Sequence, residues 1–560
     1  LLGFFAILHL SAKKDSTKSY LKKTTMKKMT NRFLTALLIS AASFTTASAQ
    51  TNLGADCGCP PVASRPTKNV SIITDANGNL TSSYYMFCDT TYILNEKMWV
   101  ANGVTLTIAP GTVIKGAITG VNVPQNSLII TRGGKLIADG TQTCPIVFTS
   151  ANDPLNGTYP VGTRGDWGGV QILGRGQLAR VAGTFGTTTT TNGEWVMEGL
   201  NNDPRSVFGG GTTPNNNDNS GIIRYVSIRH AGGATAANTE LNGLSLGAIG
   251  SGTIIENVEV VSNDDDGIEW WGGTVNGKYL SNLFVNDDGF DMDMDYDGKL
   301  QFLFGLKAPA SVASGGESGF EWDGDEGTST WFGGYSSAVS TWRSHPTVYN
   351  ATIIGNGSTV SATGTGFTTG NPFGVSFKSK AEGEIYNSIF TGFNAAFNMQ
   401  AGTDSSKLLY DQNLIKIGCN HVIPNSKGIS ATAANVTFTG ADSVRFFGTD
   451  QNASVASIAG FDASFAINGT TNQVTDNIDV VPGSNIATSC TPPADGFFTP
   501  ANYRGAFEAG KKGWLNKWAY TSIVNIVPGL APCPTDLNSD GVTNTSDFLL
   551  FVAQFNLSCN

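Results

Sequence analysis

Acidic residues recur in this sequence at an interval that suits one turn of a solenoid. Asp264-Asp265-Asp266-Gly267-Ile268-Glu269 is followed 22 residues later by Asp287-Asp288-Gly289-Phe290-Asp291. Asp293, Asp295 and Asp297 come close behind, and Glu321, Asp323, Asp325 and Glu326 continue the series. Stacked rungs lie about 4.8 Å apart, where two unit charges repel by about 0.8 kcal/mol in water and about 3.5 kcal/mol at an effective dielectric of 20. Several such pairs would outweigh the stability of a marginal fold. A hard cation taking about six to eight oxygen ligands offsets the repulsion, and calcium is the natural one in extracellular fluid. The ligands expected from this pattern are Asp265, Asp266, Glu269, Asp287, Asp288, Asp291, Asp293 and Asp323. Two rival readings use the same residues: a solvated acidic face, or carboxyls kept neutral by raised pKa values.

A second cation site is written near the C-terminus. Asp536-Leu537-Asn538-Ser539-Asp540-Gly541-Val542-Thr543-Asn544-Thr545-Ser546-Asp547 has the spacing of an EF-hand loop, with a Gly at the sharp turn. Its ligands would be Asp536, Asn538, Asp540, the Val542 carbonyl, Asn544 and Asp547. The apolar residues Phe548, Leu549, Phe551, Val552 and Phe555 follow on helical spacing. Asp at the twelfth position, after Thr545-Ser546, resembles one repeat of a dockerin, which implies a cohesin-like partner. Dockerins use two repeats, whereas only one is present before Asn560, which puts cohesin binding in doubt.

Other catalytic candidates are sparse. The lysines available as a general base beside the acids are Lys278, Lys299, Lys378 and Lys380, and each also reads as a solvated surface lysine. A pair of carboxylates could serve a hydrolase, but with so many acids no pair stands out. Past residue 49 the histidines are His230, His345 and His421, without metal-ligand spacing, and His230 reads as a turn residue. Trp270 and Trp322 read as core; Trp167, Trp271 and Trp331 are either rim packing or sugar-stacking surfaces.

The elements that must hold these residues are short repeated strands. Gly243-Leu244-Ser245-Leu246, Gly267-Ile268-Glu269-Trp270, Gly289-Phe290-Asp291-Met292, Gly319-Phe320-Glu321-Trp322 and Gly374-Val375-Ser376-Phe377 each open with Gly and then alternate. Period two sends Ile268, Phe290, Phe320, Trp270, Met292 and Trp322 inward and Glu269, Asp291 and Glu321 outward. The glycine spacings of 24, 22, 30 and 55 residues imply loops of variable length, the last with room for an additional coil. A second unit centres on Asn257, Asn282, Asn350 and Asn387, with Asn257 and Asn282 expected to stack at a corner one coil apart. Each strand meets its analogue only after a long return, which argues for a parallel β-helix over a propeller or sandwich.

Several stretches resemble a family of secreted bacterial β-helix proteins, many of them type IX secretion cargo. TLTIAPGTVIKG, SLIITRGGKLIADGTQTCPIVFTS, GDWGGVQILGRG, DDGIEWWGGTVNGKYL, DDGFDMDMDYDGKLQFLF, YNSIFTGF and DGFFTPANYRGAF carry the likeness, which spans about residues 90–520. The resemblance implies a right-handed parallel β-helix and a surface location; it implies no reaction, because the fold hosts lyases, hydrolases, adhesins and inert stalks. Asp287-Asp288-Gly289-Phe290-Asp291 is also similar to the acidic motif of a calcium-dependent polysaccharide lyase family, in which the cation neutralises a uronate carboxylate while a Lys or Arg removes the neighbouring proton.

The remaining features set the compartment. From Met26, basic residues precede the apolar run Phe33 to Ala42 and Ala47-Ser48-Ala49, the pattern of a secretory signal peptide cleaved after Ala49. Residues before Met26 read as upstream translation, and the single dockerin-like repeat reads as a chain cut short. No later stretch is apolar for long enough to span a bilayer. Past residue 49 there are 26 basic and 43 acidic residues, a net charge of −17 that excludes nucleic acid and anionic membrane as partners. Export permits disulfides, with Cys533–Cys559, Cys419–Cys490 and a link from Cys57 or Cys59 to Cys88 as candidates.

The resulting expectation is an all-β chain. Residues 50–100 form an N-terminal cap, 101–420 the β-helix, 421–530 a β-rich extension and 531–560 the dockerin-like calcium segment. Its expected role is secreted or cell-surface, calcium-stabilised and non-enzymatic, engaging polysaccharide or other surface components. A calcium-dependent polysaccharide lyase is the alternative.

Overall fold

Apolar runs of four or five residues that recur once per coil find their partners in the next coil, not in a hairpin. The computed structural model shows this pairing, and it describes residues 53–180, 182–236, 239–307, 318–324, 344–355, 373–393, 395–399, 406–423, 427–431, 440–461, 480–523 and 549. One wall is an 11-stranded sheet containing Leu244–Gly247, Ile268–Trp271, Phe290–Asp293, Phe320–Asp323 and Phe373–Lys378 as consecutive neighbours. All these pairings are parallel. The other walls form a 17-stranded sheet whose longest strands, such as Gly221–Arg229, Ile254–Val261 and Thr347–Ile354, bend from one wall to the next. The chain is a parallel β-helix, built from crossovers of the kind that run right-handed.

The expected inside and outside hold. Ile268, Trp270, Phe290, Met292, Phe320 and Trp322 are fully buried in the main apolar cluster, each contributing about 1.5–3 kcal/mol by leaving water. The rung glycines are needed for close approach: a Cβ at Gly289 would lie 2.6 Å from the Gly319 carbonyl oxygen.

Two expectations about the coils are corrected. Asn257 and Asn282 do not stack, because Asn282 pairs with Val260, whereas the strand register skips Asn257. The skipped positions make the bend: Tyr225, Asn257, Tyr279, Phe302, Asn350 and Asn387 all have φ between 49° and 60°. Asn tolerates this left-handed conformation, but packing imposes it on Tyr and Phe as well, so residue type marks the column poorly. Nor does the 55-residue spacing hide a coil. Phe320–Asp323 pairs directly with Phe373–Lys378, and the extra length falls at 325–343 and 356–372, outside the described residues.

The 421–530 extension is not β-rich where it is described. Past Lys427–Ala431 it contains the two-residue strand Ala453–Ser454, a few helical turns and irregular chain. Residues 486–520 instead lie along the bend column as a strap. Tyr503 stacks on Phe302, Trp514 packs on Tyr279 and Trp518 meets Tyr225 edge-on. Disulfides join Cys419 to Cys490 and Cys59 to Cys88, as expected, and Cys57 to Cys144, which was not anticipated. Cys533 and Cys559 lie outside the described residues. Among the described residues no helix is long and apolar enough to cross a membrane.

Candidate functional site

The outward face of the 11-stranded sheet does not meet solvent at the acidic rungs. Residues 174–220, inserted between Val170–Leu173 and Gly221–Arg229, fold back over it. They carry two antiparallel ribbons, Thr184–Phe185 with Thr188–Thr189 and Trp195–Val196 with Val207–Phe208. Leu178, Met197, Leu200 and Phe208 of this roof pack on Trp271 and Met294 as a second apolar cluster. Beneath the roof's edge is a cleft of about 440 Å³, with Phe185, Trp195 and Glu198 above and Glu269, Asp291 and Glu321 below. Thr239 and Glu240, from the turn before Leu244–Gly247, close one side.

The floor is set by strand register. Ser245, Glu269, Asp291, Glu321 and Ser376 are paired in succession across five rungs. Glu269 is 4% exposed and Asp291 8%, so both are buried although they point away from the helix lumen. Carboxylate oxygens of Asp266, Glu269 and Asp291 lie within 4.8 Å of one another, as do those of Asp265, Asp266 and Asp287. At the start of each strand a side-chain ladder ties the coils together. Asn242 Oδ1 accepts the Asp266 N–H at 3.2 Å, Asp266 Oδ1 accepts the Asp288 N–H at 2.9 Å, and Asp288 Oδ1 accepts the Ser318 N–H. Asn242 also donates to Glu269.

Burial is the main cause of an unfavourable electrostatic state. It pushes the carboxyls of Asp265, Asp266, Glu269, Asp291 and Glu321 well above the usual carboxylate range, and repulsion by their acidic neighbours adds to the shift. Cations are few. Lys378 Nζ sits 2.5 Å from Glu321 and 3.7 Å from Asp323. Lys307 donates to the Asp287 carbonyl, and Arg164 lies 3.8 Å from Asp264 at the rim. Asp291 Oδ1 is buried without a hydrogen-bond partner among the described residues, a costly position for an acceptor.

Of the expected ligands, Asp265, Asp266, Glu269, Asp287 and Asp291 come together, and Asp288 lines the same cleft with one oxygen committed to the ladder. Asp293 and Asp323 stand apart from those two groups: Asp293 accepts the Met294 N–H at 2.6 Å, and Asp323 neighbours Lys378. Glu198 and Glu240 join the cleft from segments that carry no repeat, so alternation gave no signal for them. Of the candidate bases, Lys278 is held by Phe497 and Thr499, and Lys299 by Asp495, both on the strap side. Lys378 abuts the acidic column, and neither it nor Lys380 is part of the cleft lining. His230 is buried at a turn, its Nδ1 2.6 Å from the Thr163 carbonyl oxygen. Trp167 is core and Trp271 is nearly so, while half-buried Trp195 is the aromatic face at the cleft. Trp331 and the loop from Asp536 to Asp547 lie outside the described residues.

The donor set fits a hard divalent cation: it is all oxygen, it is carboxylate-rich, and it contains a buried oxygen without a hydrogen-bond partner among the described residues. Glu269, Asp266 and Asp291 would hold the ion, which would offset part of the repulsion in the stack and could take an oxygen of an anionic ligand in its remaining coordination positions. A family model described as a pectate-lyase-like β-helix domain matches residues 78–473. No curated protein and no solved structure gives a significant match. The match extends over well more than half of the chain and agrees with the stacked parallel rungs, so the chain belongs to the family of pectate-lyase-like β-helix domains.

Proposed function

We propose that this chain is an exported, calcium-stabilised β-helix protein that uses the roofed acidic cleft to bind an acidic polysaccharide or another cell-surface component without turning it over. The observation that carries the reading is Asp291 Oδ1, buried and without a hydrogen-bond partner among the described residues, beside four further carboxyls that burial disfavours as anions. Calcium bound there would satisfy it and leave coordination positions for a uronate or sulfate oxygen. Phe185 and Trp195, with ring centroids 3.7 Å apart and Arg180 4.1 Å over the Trp195 ring, add an apolar edge to the cleft against which a sugar could pack. The signal-peptide pattern from Met26 to Ala49 supports export, and the EF-hand spacing of Asp536 to Asp547 supports a second calcium ligand set.

The family description favours a second reading, a calcium-dependent polysaccharide lyase. Lys378 is the base such a reaction would use, yet its ion pair with Glu321 raises its pKa further and makes it a poor proton acceptor. Affinity electrophoresis through polygalacturonate separates the readings. Retardation in calcium that chelator abolishes, with no rise in ultraviolet absorbance from unsaturated uronates, is expected for binding. A rise in absorbance that depends on Lys378 would establish the lyase instead, and unretarded migration in calcium across acidic glycans would refute the binding role.

A further inference from the structure

A second pocket, of about 290 Å³, opens at the other ends of the sheet strands, where Asn102, Thr131, Arg132 and Arg175 follow three successive rungs and Arg205 descends from the roof. Its lining contains three arginines and no carboxylate, in a chain whose formal net charge is −10. Two of the guanidinium groups are clamped from behind. Arg205 is bound by both Asp203 oxygens, with contacts of 2.6 and 2.9 Å, gives its Nη1 hydrogens to the Asn77 carbonyl at 2.9 Å and to Asn79 Oδ1 at 2.5 Å, and lies 4.2 Å over the Trp99 ring. Arg132 gives both Nη1 hydrogens away, to Glu194 at 2.6 Å and to the Gly209 carbonyl at 3.0 Å. Its Nε and Nη2 groups make no hydrogen bond among the described residues. Arg175 is exposed and donates to the Arg132 carbonyl at 3.3 Å. Buried Asp218 accepts the backbone N–H of Arg175 and feels the charge of its guanidinium. The pocket thus presents the Nε and Nη2 groups of Arg132 and the exposed guanidinium of Arg175 with no carboxylate in its lining, an arrangement of forked donors of the kind with which proteins recognise oxyanions.

We propose that this pocket binds an oxyanion carried on a glycan, a sulfate ester or a carboxylate, independently of any cation. Arg175 is the residue that closes on the anion, and Arg132 and Arg205 form the fixed back wall. The site lies on rungs before the acidic cleft and at the opposite strand ends, so a chain long enough to reach both would be gripped through cation and arginine at once.

The test is isothermal titration of the full chain in chelator with a heparin hexasaccharide, a neutral cello-oligosaccharide of the same length and inorganic sulfate. Working without free calcium keeps failure here separate from failure of the cation-dependent reading. The hexasaccharide is expected to bind, with at least a tenfold loss in Arg175→Gln and no change in Lys511→Gln, an exposed lysine elsewhere that controls for net charge. The neutral chain should not bind. Equal binding by wild type and Arg175→Gln, or equal loss in both variants, would overturn the proposal. Binding of sulfate alone, with no gain from the sugar chain, would overturn the glycan assignment and leave a free-anion pocket. An unchanged melting temperature in Arg175→Gln is the check that the variant is folded.

Discussion

Glu269 and Asp291 are paired directly across adjacent parallel rungs, and both lie buried beneath the roof. Two carboxyls so placed cannot both be anions at modest energy without a counter-charge. Asp291→Asn keeps the shape and removes one charge, so in chelator it is expected to stabilise the fold by about 1–3 kcal/mol, below the Coulomb ceiling for one relieved pair. In calcium the same variant should gain less or lose stability, because a ligand is gone. Urea unfolding with and without calcium measures this, in an Asp536→Ala/Asp540→Ala background so that the C-terminal loop does not contribute. Identical calcium increments in parent and variant would remove Asp291 from the cation site.

Lys378 is the counter-charge of the same column two rungs on. Lys378→Met leaves Glu321 and Asp323 facing each other without a cation, and is expected to destabilise the protein by about 2–4 kcal/mol near neutral pH, somewhat less than breaking a fully buried pair because the lysine is 29% exposed. Calcium should not restore the loss if the ion binds at Asp266, Glu269 and Asp291. Full rescue by calcium would show that the cation site extends to Glu321.

The ladder Asn242, Asp266, Asp288 makes a separate claim on the acids, in which the acceptor oxygen matters and the charge does not. Asp288→Asn still offers Oδ1 to the Ser318 N–H and should fold normally, whereas Asp288→Ala leaves that buried donor unmet at a cost of about 1–3 kcal/mol. Equal stabilities for the two variants would show that the ladder is incidental.

How far the sequence could be read follows from what repeats. The rung register, the inward set of Ile268 to Trp322 and the meeting of Glu269, Asp291 and Glu321 were legible, because each Gly-led strand repeats the same alternation whatever the length of the loop before the next. The bend column was not, since a left-handed φ is forced by closure of the coil on Tyr225, Tyr279 and Phe302 as well as on Asn257. The roof was invisible for the opposite reason: residues 174–220 occur once, and only their packing on Trp271 and Met294 turns a face expected to be outward into a buried cleft. Glu198 and Glu240 enter the site by that route alone. Arg132, Arg175 and Arg205 are far apart in sequence, and no local pattern joins them.

His345 gives the fold a pH dependence that owes nothing to the cleft. Its Nδ1 lies 3.4 Å from Glu382 and its Nε2 3.9 Å from Glu384, and hydrogen bonding to these carboxylates raises its pKa from 6.5 to about 9. A histidine raised on folding binds its proton more tightly in the native state, so its contribution is complete below about pH 6.5 and disappears as pH rises through 9. Because the side chain is 38% exposed, solvent screening limits the effect to about 1 kcal/mol. Glu384 works in the other direction: the His345 and Lys416 contacts hold it down at about 2, so its share is present above the usual carboxylate range and is lost only as pH falls through 2. Between pH 6.5 and 9 the histidine is therefore the group of this cluster that changes. Unfolding free energy measured at pH 6, 7.5 and 9 should decline in the parent chain, and His345→Asn should flatten that decline by about 1 kcal/mol. A variant whose curve ran parallel to the parent's would mean that His345 is not charged in the folded protein.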